Sequence, residues 1–548
     1  MLKNTLTVFP STASTVLISL LLCSGGKSIY GLPRSDDGYC YPGQSCWPSW
    51  HEELVFANSL DGDSLLPTSE AYANYTIMIN TRVTKYPYVI VLAQSLSDVI
   101  KCVKFANRFN IRLTIRSSGH DYIGRSTGDG TLQINLSKMQ GLVFDLTSSR
   151  HADGELTAQS GNTWIRIYEE ASKHGRTIVG GSAHTVSMGG YTLGGGHSPI
   201  GRKFGLAVDN LLEVEMVTAN GTLVYANAQS TVFVDLETGT NTTTGNTDIF
   251  WAVRGGGGST FGIVTAFTYK LHMDSKMARL TCYYALKDPY GNDIGRPFLK
   301  AFNDLLSTTL APEWGGYEIL TATTDKNYRG IIVLVLNHFG EWGSPSFNTI
   351  WPFWSKFLDN CQAANVTNFL DYEKTVHDDL YYHTYTFNTL MQPHGFNDDW
   401  YNFISTLLLS NFSMPIGAGC TGVLIGGAIG KTSSDATAIH PSFRTGVMSL
   451  TCGISWDGRL EVQPEETFAA YTADKLLTFG QGTYFNEPSE HLPNWKTDYW
   501  GGHYDRLLAI KRKWDPTNVF TCLHCVGSDL GRDLHGQGNV MPVGPIIG

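Results

Sequence analysis

The chain has 548 residues and a formal net charge of -10, with 42% hydrophobic and 16% charged residues. This balance is typical of a globular protein and excludes an intrinsically disordered one. The acidic surplus argues against a nucleic acid as partner, because phosphate backbones are bound by basic surfaces. Since single hydrophobic cores stop growing at about 250 to 300 residues, the length predicts two domains.

Residues 1–26 are typical of a secretory signal, with Lys3 before an apolar run from Thr15 to Cys23. The run is too short to span a bilayer, which takes about 20 residues, and no later segment predicts a span. Glycosylation sequons also fit a secretory route. The sequons are at Asn74, Asn135, Asn220, Asn241, Asn365 and Asn411. We therefore expect a secreted, extracellular, soluble glycoprotein.

The next predicted elements are a helix and a strand. Ser97 is predicted to cap a helix that runs through Phe109, because apolar residues recur there at helical spacing. Apolar and polar residues then alternate over 111–115, which is the period of a half-buried strand. This strand leads into the segment that ends at His120.

Two further elements follow before residue 230. Residues 162–174 predict a second helix, which Gly175 ends. Asn220-Gly221 is a strong hairpin signal and lies between two segments with strand character. Mixed helices and strands of this kind indicate an α+β fold.

The sequence changes character after about residue 276, where aromatic stretches replace the glycine clusters, as in Tyr381 to Phe387. This change predicts a second domain. Near the C-terminus, Cys522 and Cys525 form a C-x-x-C without a second pair at zinc spacing. We expect a disulfide or two inert thiols there, and no metal site. Nine cysteines remain after the signal, so at least one thiol is unpaired within the chain.

Three glycine-rich blocks are the main candidates for ligand binding: 116–124, 180–196 and 254–262. Glycine lets a backbone approach a ligand closely and present its N–H groups to phosphate oxygens. None of the blocks has the spacing of a Rossmann or P-loop motif. They indicate either a different dinucleotide cradle or tight turns in a strand-rich domain.

Together these blocks resemble the FAD-binding domain of the vanillyl-alcohol oxidase and para-cresol methylhydroxylase (PCMH) superfamily. Within it they resemble the berberine bridge enzyme-like branch, especially its fungal FAD-linked oxidoreductases. The resemblance runs from Cys46 through Phe267 and resumes at 437–444 and 484–520. It implies an α+β fold in which a two-subdomain, PCMH-type FAD-binding domain joins an α+β substrate domain with an antiparallel sheet.

The resemblance also sets the expected domain boundaries. These are a signal peptide at 1–26, the FAD-binding domain at 27–275, the substrate domain at 276–475, a berberine-bridge-type segment at 476–530 that packs on the FAD-binding domain, and a loose tail at 531–548.

His120 is the predicted point of covalent attachment. Arg116-Ser-Ser-Gly-His120 is similar to the family motif R-S-G-G-H, whose histidine bonds to the 8α-methyl of FAD. Many relatives add a second link through a cysteine in G-x-C-P-x-V. Ala183 holds that position here, so the resemblance implies a single, histidyl attachment.

Other residues carried over from the motifs are expected to contact FAD. They are Ser117, Ser118, Gly119, Gly124, Arg125, Gly181, Gly189, Gly190, Gly194, Gly195, Gly258, Gly262, Ile263, Val264 and Asn486. Asp209 and Asn210 are expected near the adenine and ribose.

In an oxidation by a flavin, the flavin accepts a hydride from the substrate, and another group takes the substrate proton. Tyr484, in a Y-x-N motif, is the predicted base because the resemblance places it near the flavin. His440 is a further catalytic candidate, and the second domain also offers His383, Tyr385 and Arg444. Val186 lies where a small valine resembles the oxidases of the family, which favours oxygen as acceptor.

The expected protein is thus a secreted, monomeric FAD-dependent oxidase. Its substrate would be a small alcohol, sugar, or alkaloid- or polyketide-like metabolite, and oxygen would become hydrogen peroxide. Two alternatives stay open: an FAD-linked dehydrogenase with another acceptor, and a secreted flavin-binding glycoprotein without turnover. The same fold can serve any of these functions.

Overall fold

The computed structural model describes residues 38–322, 329–376, 381–409, 417–458 and 466–531. The predicted signal, nearly all of the predicted tail and the sequon at Asn411 lie outside the described residues. None of the described helices is both long and apolar enough to cross a membrane.

Helices and strands alternate through the first half of the chain, and long strands dominate the second. The helices in the described ranges are α1 (Trp50–Ser59), α2 (Tyr72–Thr76), α3 (Leu96–Phe109), α4 (Trp164–Lys173), α5 (Met188–Leu193), α6 (Gly201–Phe204), α7 (Asp248–Ala252), α8 (Gly295–Thr308), α9 (Trp351–Trp354), α10 (Phe369–Glu373), α11 (Asp398–Leu409), α12 (Glu466–Leu477), α13 (Trp495–Trp500) and α14 (Tyr504–Trp514).

The strands in the same ranges are β1 (Asp63–Leu65), β2 (Val89–Leu92), β3 (Leu113–Arg116), β4 (Leu132–Asn135), β5 (Leu142–Asp145), β6 (Glu155–Gln159), β7 (Arg176–Thr177), β8 (Leu211–Val217), β9 (Leu223–Asn227), β10 (Thr231–Val234), β11 (Asn241–Thr244), β12 (Ile263–Lys270), β13 (His272–Met273), β14 (Met277–Lys287), β15 (Trp314–Thr321), β16 (Arg329–Phe339), β17 (Cys361–Val366), β18 (His383–Met391), β19 (Gly417–Leu424) and β20 (Met448–Trp456).

Three main sheets organise these strands. The first has the order β1-β2-β4-β3, with β4 parallel to both of its neighbours. The second has the order β11-β10-β9-β8-β12-β6-β5, and the third β17-β14-β16-β15-β19-β20-β18. The pairs of the second and third sheets are antiparallel, as in β8 with β12 and β14 with β16. This is the predicted α+β architecture with an antiparallel sheet in the second half.

Strand alternation gives the third sheet two different faces. On β14, Leu280 and Cys282 lie in the hydrophobic core beneath α8 and α11. Thr281 and Tyr283, which alternate with them, face a cavity on the other side. One face of the sheet therefore stabilises the fold, and the other is free to meet a ligand.

Arg202 on α6 connects the first half of the chain to the third sheet. Its guanidinium is buried and donates to the carbonyls of Leu310, Trp314 and Ile425 at 2.7–2.8 Å. Buried donors that find partners in this way stabilise a particular docking geometry. The polar face of the third sheet is thereby held opposite the glycine-rich blocks.

The predicted local elements are largely confirmed. The first helix is α3, but its cap is Ser95 rather than Ser97: the Ser95 hydroxyl accepts from the Asp98 N–H, and the Asp98 carboxylate accepts in return. This reciprocal pair is a capping box, which the apolar spacing alone did not locate. The second predicted helix is α4, and the Asn220-Gly221 hairpin joins β8 to β9.

Four disulfides occur in the described residues: Cys40–Cys46, Cys282–Cys361, Cys420–Cys452 and Cys522–Cys525. The C-x-x-C therefore forms a disulfide, the first of the two predicted alternatives. Cys102 is the free cysteine among these residues, and it is buried on α3. This agrees with the odd number of cysteines, which leaves one thiol unpaired.

Candidate active site

A cavity of about 960 Å³ lies between the glycine-rich blocks and the polar face of the third sheet. Ligand cavities commonly measure about 300–1,000 Å³, so this one suits a large ligand. Most of the predicted site residues line it. They are Ser117, Ser118, Gly119, His120, Arg125, Gly181, Val186, Gly189, Gly190, Gly258, Gly262, Ile263, Val264, Tyr484 and Asn486.

The first glycine-rich block is shaped by Arg116, the last residue of β3. Its buried guanidinium donates to the carbonyls of Tyr75 and Ile77, both at 2.7 Å, and of Ser118 at 3.3 Å. Gly119 has φ +90°, and a Cβ there would lie 2.5 Å from the Arg116 guanidinium. Only glycine combines this backbone conformation with so close an approach. The loop that carries His120 is therefore fixed from behind.

The second block packs directly on the first. The Ser187 N–H donates to the Ser118 hydroxyl at 3.1 Å. A Cβ at Gly189 would lie 2.6 Å from the Ser117 hydroxyl, so a larger residue would separate the two blocks. The two loops thus form one continuous wall of the cavity.

Thr185, within the second block, meets the predicted attachment residue. Its hydroxyl lies 2.9 Å from His120 Nε2. This contact orients the imidazole in the cavity wall. A hydrogen bond at one ring nitrogen also influences whether the other ring nitrogen carries a proton. Ala183 and Val186 line the same wall. The sequence did not single out Thr185, because it lies at a position of the G-x-C-P-x-V motif where any residue is allowed.

Arg125 brings a buried positive charge to the cavity. Its Nε lies 2.6 Å from the Asp121 carboxylate, and its guanidinium lies 3.9 Å from the centre of the Phe485 ring. Its Nη1 is buried and has no partner within the described residues. Buried donors rarely stay unpaired, so this nitrogen is suited to an acceptor on a ligand.

The third block is held by the C-terminal helix α14. Lys511 donates to the Thr260 carbonyl at 2.6 Å and pairs with Asp515 at 2.6 Å, with both side chains fully buried. Burial lowers the pKa of Lys511. The Asp515 carboxylate in turn accepts from two backbone N–H groups, at Val519 and Phe520. The end of the chain therefore fixes the loop that supplies Gly258.

Tyr484 and Asn486 enter the cavity wall from the C-terminal segment. The Tyr484 hydroxyl accepts from the Gly196 N–H at 2.9 Å and from the Asn486 amide at 2.8 Å. Burial raises the pKa of Tyr484 well above its ordinary value. Asn486 also donates to the Tyr191 carbonyl, and a Cβ at Gly194 would collide with its side chain. Gly194 therefore supports the wall from behind instead of lining it.

Glu487 and His197 are functional candidates that sequence reasoning missed. Both line the cavity, and Glu487 Oε1 lies 2.8 Å from His197 Nε2. Glu487 Oε2 accepts from the Asn388 amide at 2.9 Å and from the Thr451 hydroxyl. Their positions in the sequence indicate only weakly that they belong to the site: Glu487 directly follows the Y-x-N motif, and His197 directly follows a glycine run. This pair can accept and pass on a proton.

A buried carboxyl group lies behind another part of the wall. Glu373 accepts from the Ser182 hydroxyl at 2.9 Å, and Ser182 accepts from the Tyr317 hydroxyl at 2.6 Å. Burial raises the pKa of Glu373 to about 8. Ser182 and Tyr317 line the cavity, whereas Glu373 does not, so the network fixes the position of two wall residues.

The catalytic candidate His440 is not among the residues that line the cavity. Its Nδ1 accepts from the Ser442 N–H at 3.1 Å, so His440 caps the short 3-10 helix Pro441–Phe443. Burial lowers its pKa to about 4. A Cβ at Gly482 would lie 2.5 Å from the ring, which shows how tightly the ring is enclosed. His440 is therefore placed as a helix cap.

The other predicted residues outside the lining have structural contacts of their own. Gly124 packs on Val83 and Gly195 on Ile439, while His383 contacts Thr81 and Tyr385 stacks on Arg82. Asp209 and Asn210, expected near the adenine and ribose, do not line the cavity: Asp209 pairs with Arg444 at 2.7 Å, and Asn210 contacts His272. Among the described residues that line the cavity, Tyr484 is the one base candidate taken from the sequence.

Two family models match the sequence. The one described as an FAD binding domain matches residues 87–227, and the one described as berberine and berberine like matches residues 483–526. The first covers the blocks around His120 and Gly189, and the second covers Tyr484, Glu487 and α14. A curated relative, the VAO-type flavoprotein oxidase VAO615 of Thermothelomyces thermophilus, is 28% identical over 526 residues, covering 89% of this chain and 86% of that protein.

Solved structures share the fold. The VAO-type flavoprotein MtVAO615 of Myceliophthora thermophila C1 matches with a TM-score of 0.74 at 24% identity, covering 89% of this chain and 97% of that one. Glucooligosaccharide oxidase of Acremonium strictum, described with a 6-S-cysteinyl, 8α-N1-histidyl FAD, matches with a TM-score of 0.72 at 22% identity, covering 87% and 99%. These likenesses show the same α+β fold.

Proposed function

We propose that this chain, which matches an FAD binding domain model and a berberine and berberine like model, is an FAD-linked oxidase acting on a small organic substrate with oxygen as electron acceptor. The observation that carries the proposal is the single cavity in which the glycine-rich wall faces a polar sheet. The wall is suited to the cofactor and the sheet to a substrate.

The wall fits FAD in three respects. Its glycines bring backbone close to the cavity, and Gly190 has no atom within 4 Å of a would-be Cβ. Arg125 Nη1 is a buried donor that awaits an acceptor, which a phosphate or flavin oxygen would supply. His120 is aimed by Thr185 in the same wall. When bound, FAD supplies the acceptor for a hydride that leaves the substrate carbon.

We assign the covalent link to His120 alone. Thr185 contacts Nε2 of this ring, and a flavin attached to the other ring nitrogen would match the N1-histidyl link described for glucooligosaccharide oxidase. The second, cysteinyl link described for that protein has no counterpart at Ala183, which has no sulfur. A single 8α-histidyl attachment follows.

On the substrate side of the cavity, neutral hydroxyl groups lie among aliphatic side chains such as Ile319 and Val423. Hydroxyl groups from four strands line it: Thr281, Tyr317, Thr421, Thr451 and Ser455. Hydroxyl side chains both donate and accept, so they suit a substrate that carries several hydroxyl groups. We therefore place alcohols and sugars first among the candidate substrates, with alkaloid- and polyketide-like metabolites next.

Val186→Leu is expected to slow the reaction of the reduced enzyme with oxygen while substrate still reduces it. Val186 lines the cavity wall, and one extra methylene in a confined space is felt by its neighbours. Stopped-flow mixing of anaerobically reduced protein with oxygen measures the effect. Val143→Leu, at an exposed surface position, is the matched control.

The wild-type protein separates oxidase from dehydrogenase in the same experiment. An oxidase reoxidises rapidly in air and forms one hydrogen peroxide per product. Slow reoxidation with fast turnover on an artificial dye would instead favour the dehydrogenase. Unchanged oxygen kinetics in Val186→Leu would keep the oxidase and remove Val186 from its explanation.

We propose that the protein is secreted and that glycans occupy exposed sequons alone. The exposed sequons within the described residues are Asn74, Asn220, Asn241 and Asn365. Asn135 is 1% exposed and its side chain accepts from the Ser137 N–H, so a glycan there would have to displace the strand β4. Glycopeptide mapping of the secreted protein should find Asn135 unmodified. A glycan on Asn135, or retention of the protein inside the cell, would contradict the proposal.

A further inference from the structure

Acid–base chemistry in the cavity depends on which ionisable groups are available there. Among the described lining residues, the carboxylates are Asp121 and Glu487. Asp121 is committed, because it pairs with Arg125 and also accepts from the backbone N–H groups of Ile123 and Arg125. Glu487 is the carboxylate that faces the cavity without a permanent positive partner.

The contacts of Glu487 position it as a base. Its side chain is 19% exposed and that of His197 is 15% exposed, so the pair is reachable from the cavity and largely shielded from bulk water. Asn388 and Thr451 hold one carboxylate oxygen, and His197 meets the other. Groups fixed in this way need no reorganisation when a proton arrives.

Tyr484 is less suited to the same task. Its hydroxyl already accepts from Gly196 and Asn486, and its side chain is 2% exposed. Burial raises its pKa, which disfavours the tyrosinate that a base would require. Tyr484 instead packs against His197, with ring centres 4.8 Å apart.

We infer that Glu487 is the general base of the reaction and that His197 positions its carboxylate. The inference rests on the proposed function. The substrate O–H or N–H proton would pass to the Glu487 carboxylate as a C=O or C=N bond forms, and bound FAD would supply the acceptor for the hydride that the adjacent carbon loses. Glu487, which is partly exposed to the cavity, would then return to the carboxylate by releasing its proton to water, while the His197 Nε2–H stays hydrogen-bonded to it.

Glu487→Gln tests the inference, because it keeps the shape and one acceptor but cannot take a proton. General base catalysis contributes about 10²- to 10⁴-fold. We therefore expect anaerobic bleaching of the flavin to slow about 100-fold or more, with D-glucose, cellobiose, benzyl alcohol and benzylamine as probes.

Two further measurements separate catalysis from structure. Formate should restore part of the bleaching rate of Glu487→Ala, since it can occupy the vacated space as a carboxylate, and should not restore that of Glu487→Gln. The covalent flavin content and absorbance spectrum of Glu487→Gln should match wild type. Glu490→Gln, three residues away in a partly exposed pair with Arg82, is the matched control and should bleach at the wild-type rate.

The outcomes distinguish this inference from the proposed function. A wild-type protein that no probe reduces would overturn the proposed function and the role of Glu487 with it. A wild-type protein that is reduced, together with Glu487→Gln reduced within about threefold of it, would overturn the inference alone; general base removal costs far more. Loss of flavin from Glu487→Gln would also overturn it, in favour of a structural role.

Discussion

Lys511→Met is expected to lower the free energy of unfolding by about 3–5 kcal/mol, the cost of leaving one partner of a buried ion pair without the other. Lys511 is 0% exposed and lies 2.6 Å from Asp515. It also donates to the carbonyls of Thr260 and Phe520, so the variant leaves these acceptors unpaired as well. The third glycine-rich block should loosen, and bound flavin should fall with stability.

Urea unfolding followed by tryptophan fluorescence measures this change. Lys513→Met is the matched control. Lys513 lies two residues after Lys511 on α14, and it forms a partly exposed ion pair with Asp248. Pairs of that kind contribute about 0–1 kcal/mol. If both variants lost the same small amount, the buried pair would not be the anchor described above.

His120→Ala is expected to abolish covalent attachment of flavin completely. The ring is held in the cavity wall by Thr185, and alanine offers no nucleophile there. The glycine-rich wall and Arg125 are unchanged, so the variant should still bind FAD reversibly and fold. Acid precipitation should leave the variant pellet colourless and release flavin to the supernatant.

Thr185 refines this expectation. Thr185→Val removes the hydroxyl that contacts His120 and should lower the attached fraction, whereas Thr185→Ser keeps the hydroxyl and should restore it. His394→Ala, an exposed histidine of the second half, is the control and should stay fully yellow after acid. Flavin that stays attached to His120→Ala would place the link elsewhere.

Local sequence patterns predicted the elements that local interactions determine. Helix α3 and the β8–β9 hairpin depend on spacing and turn residues within a few positions, and both were found close to their predicted places. Motif positions also located His120 and the glycines that line the cavity. Such positions are recognisable because few residues other than glycine tolerate close backbone contact.

Long-range packing explains what sequence reasoning missed. Glu487 and His197 are 290 residues apart in the sequence, and neither lies in a motif that predicts their contact. His440 lies in a recognised segment, but the fold turns its ring toward Gly482 and away from the cavity. Asn135 is likewise a valid sequon that strand pairing buries. Burial and direction depend on tertiary structure, which a sequence pattern does not contain.

If this cavity holds FAD attached through His120, the wild-type protein carries the flavin on one identifiable peptide. The protein is denatured, digested and deglycosylated, and the peptide that contains His120 is weighed by mass spectrometry. We expect this peptide to carry the added mass of one FAD, with fragmentation placing it on the histidine. An unmodified His120 peptide, with all flavin recovered free or on another residue, would contradict the account.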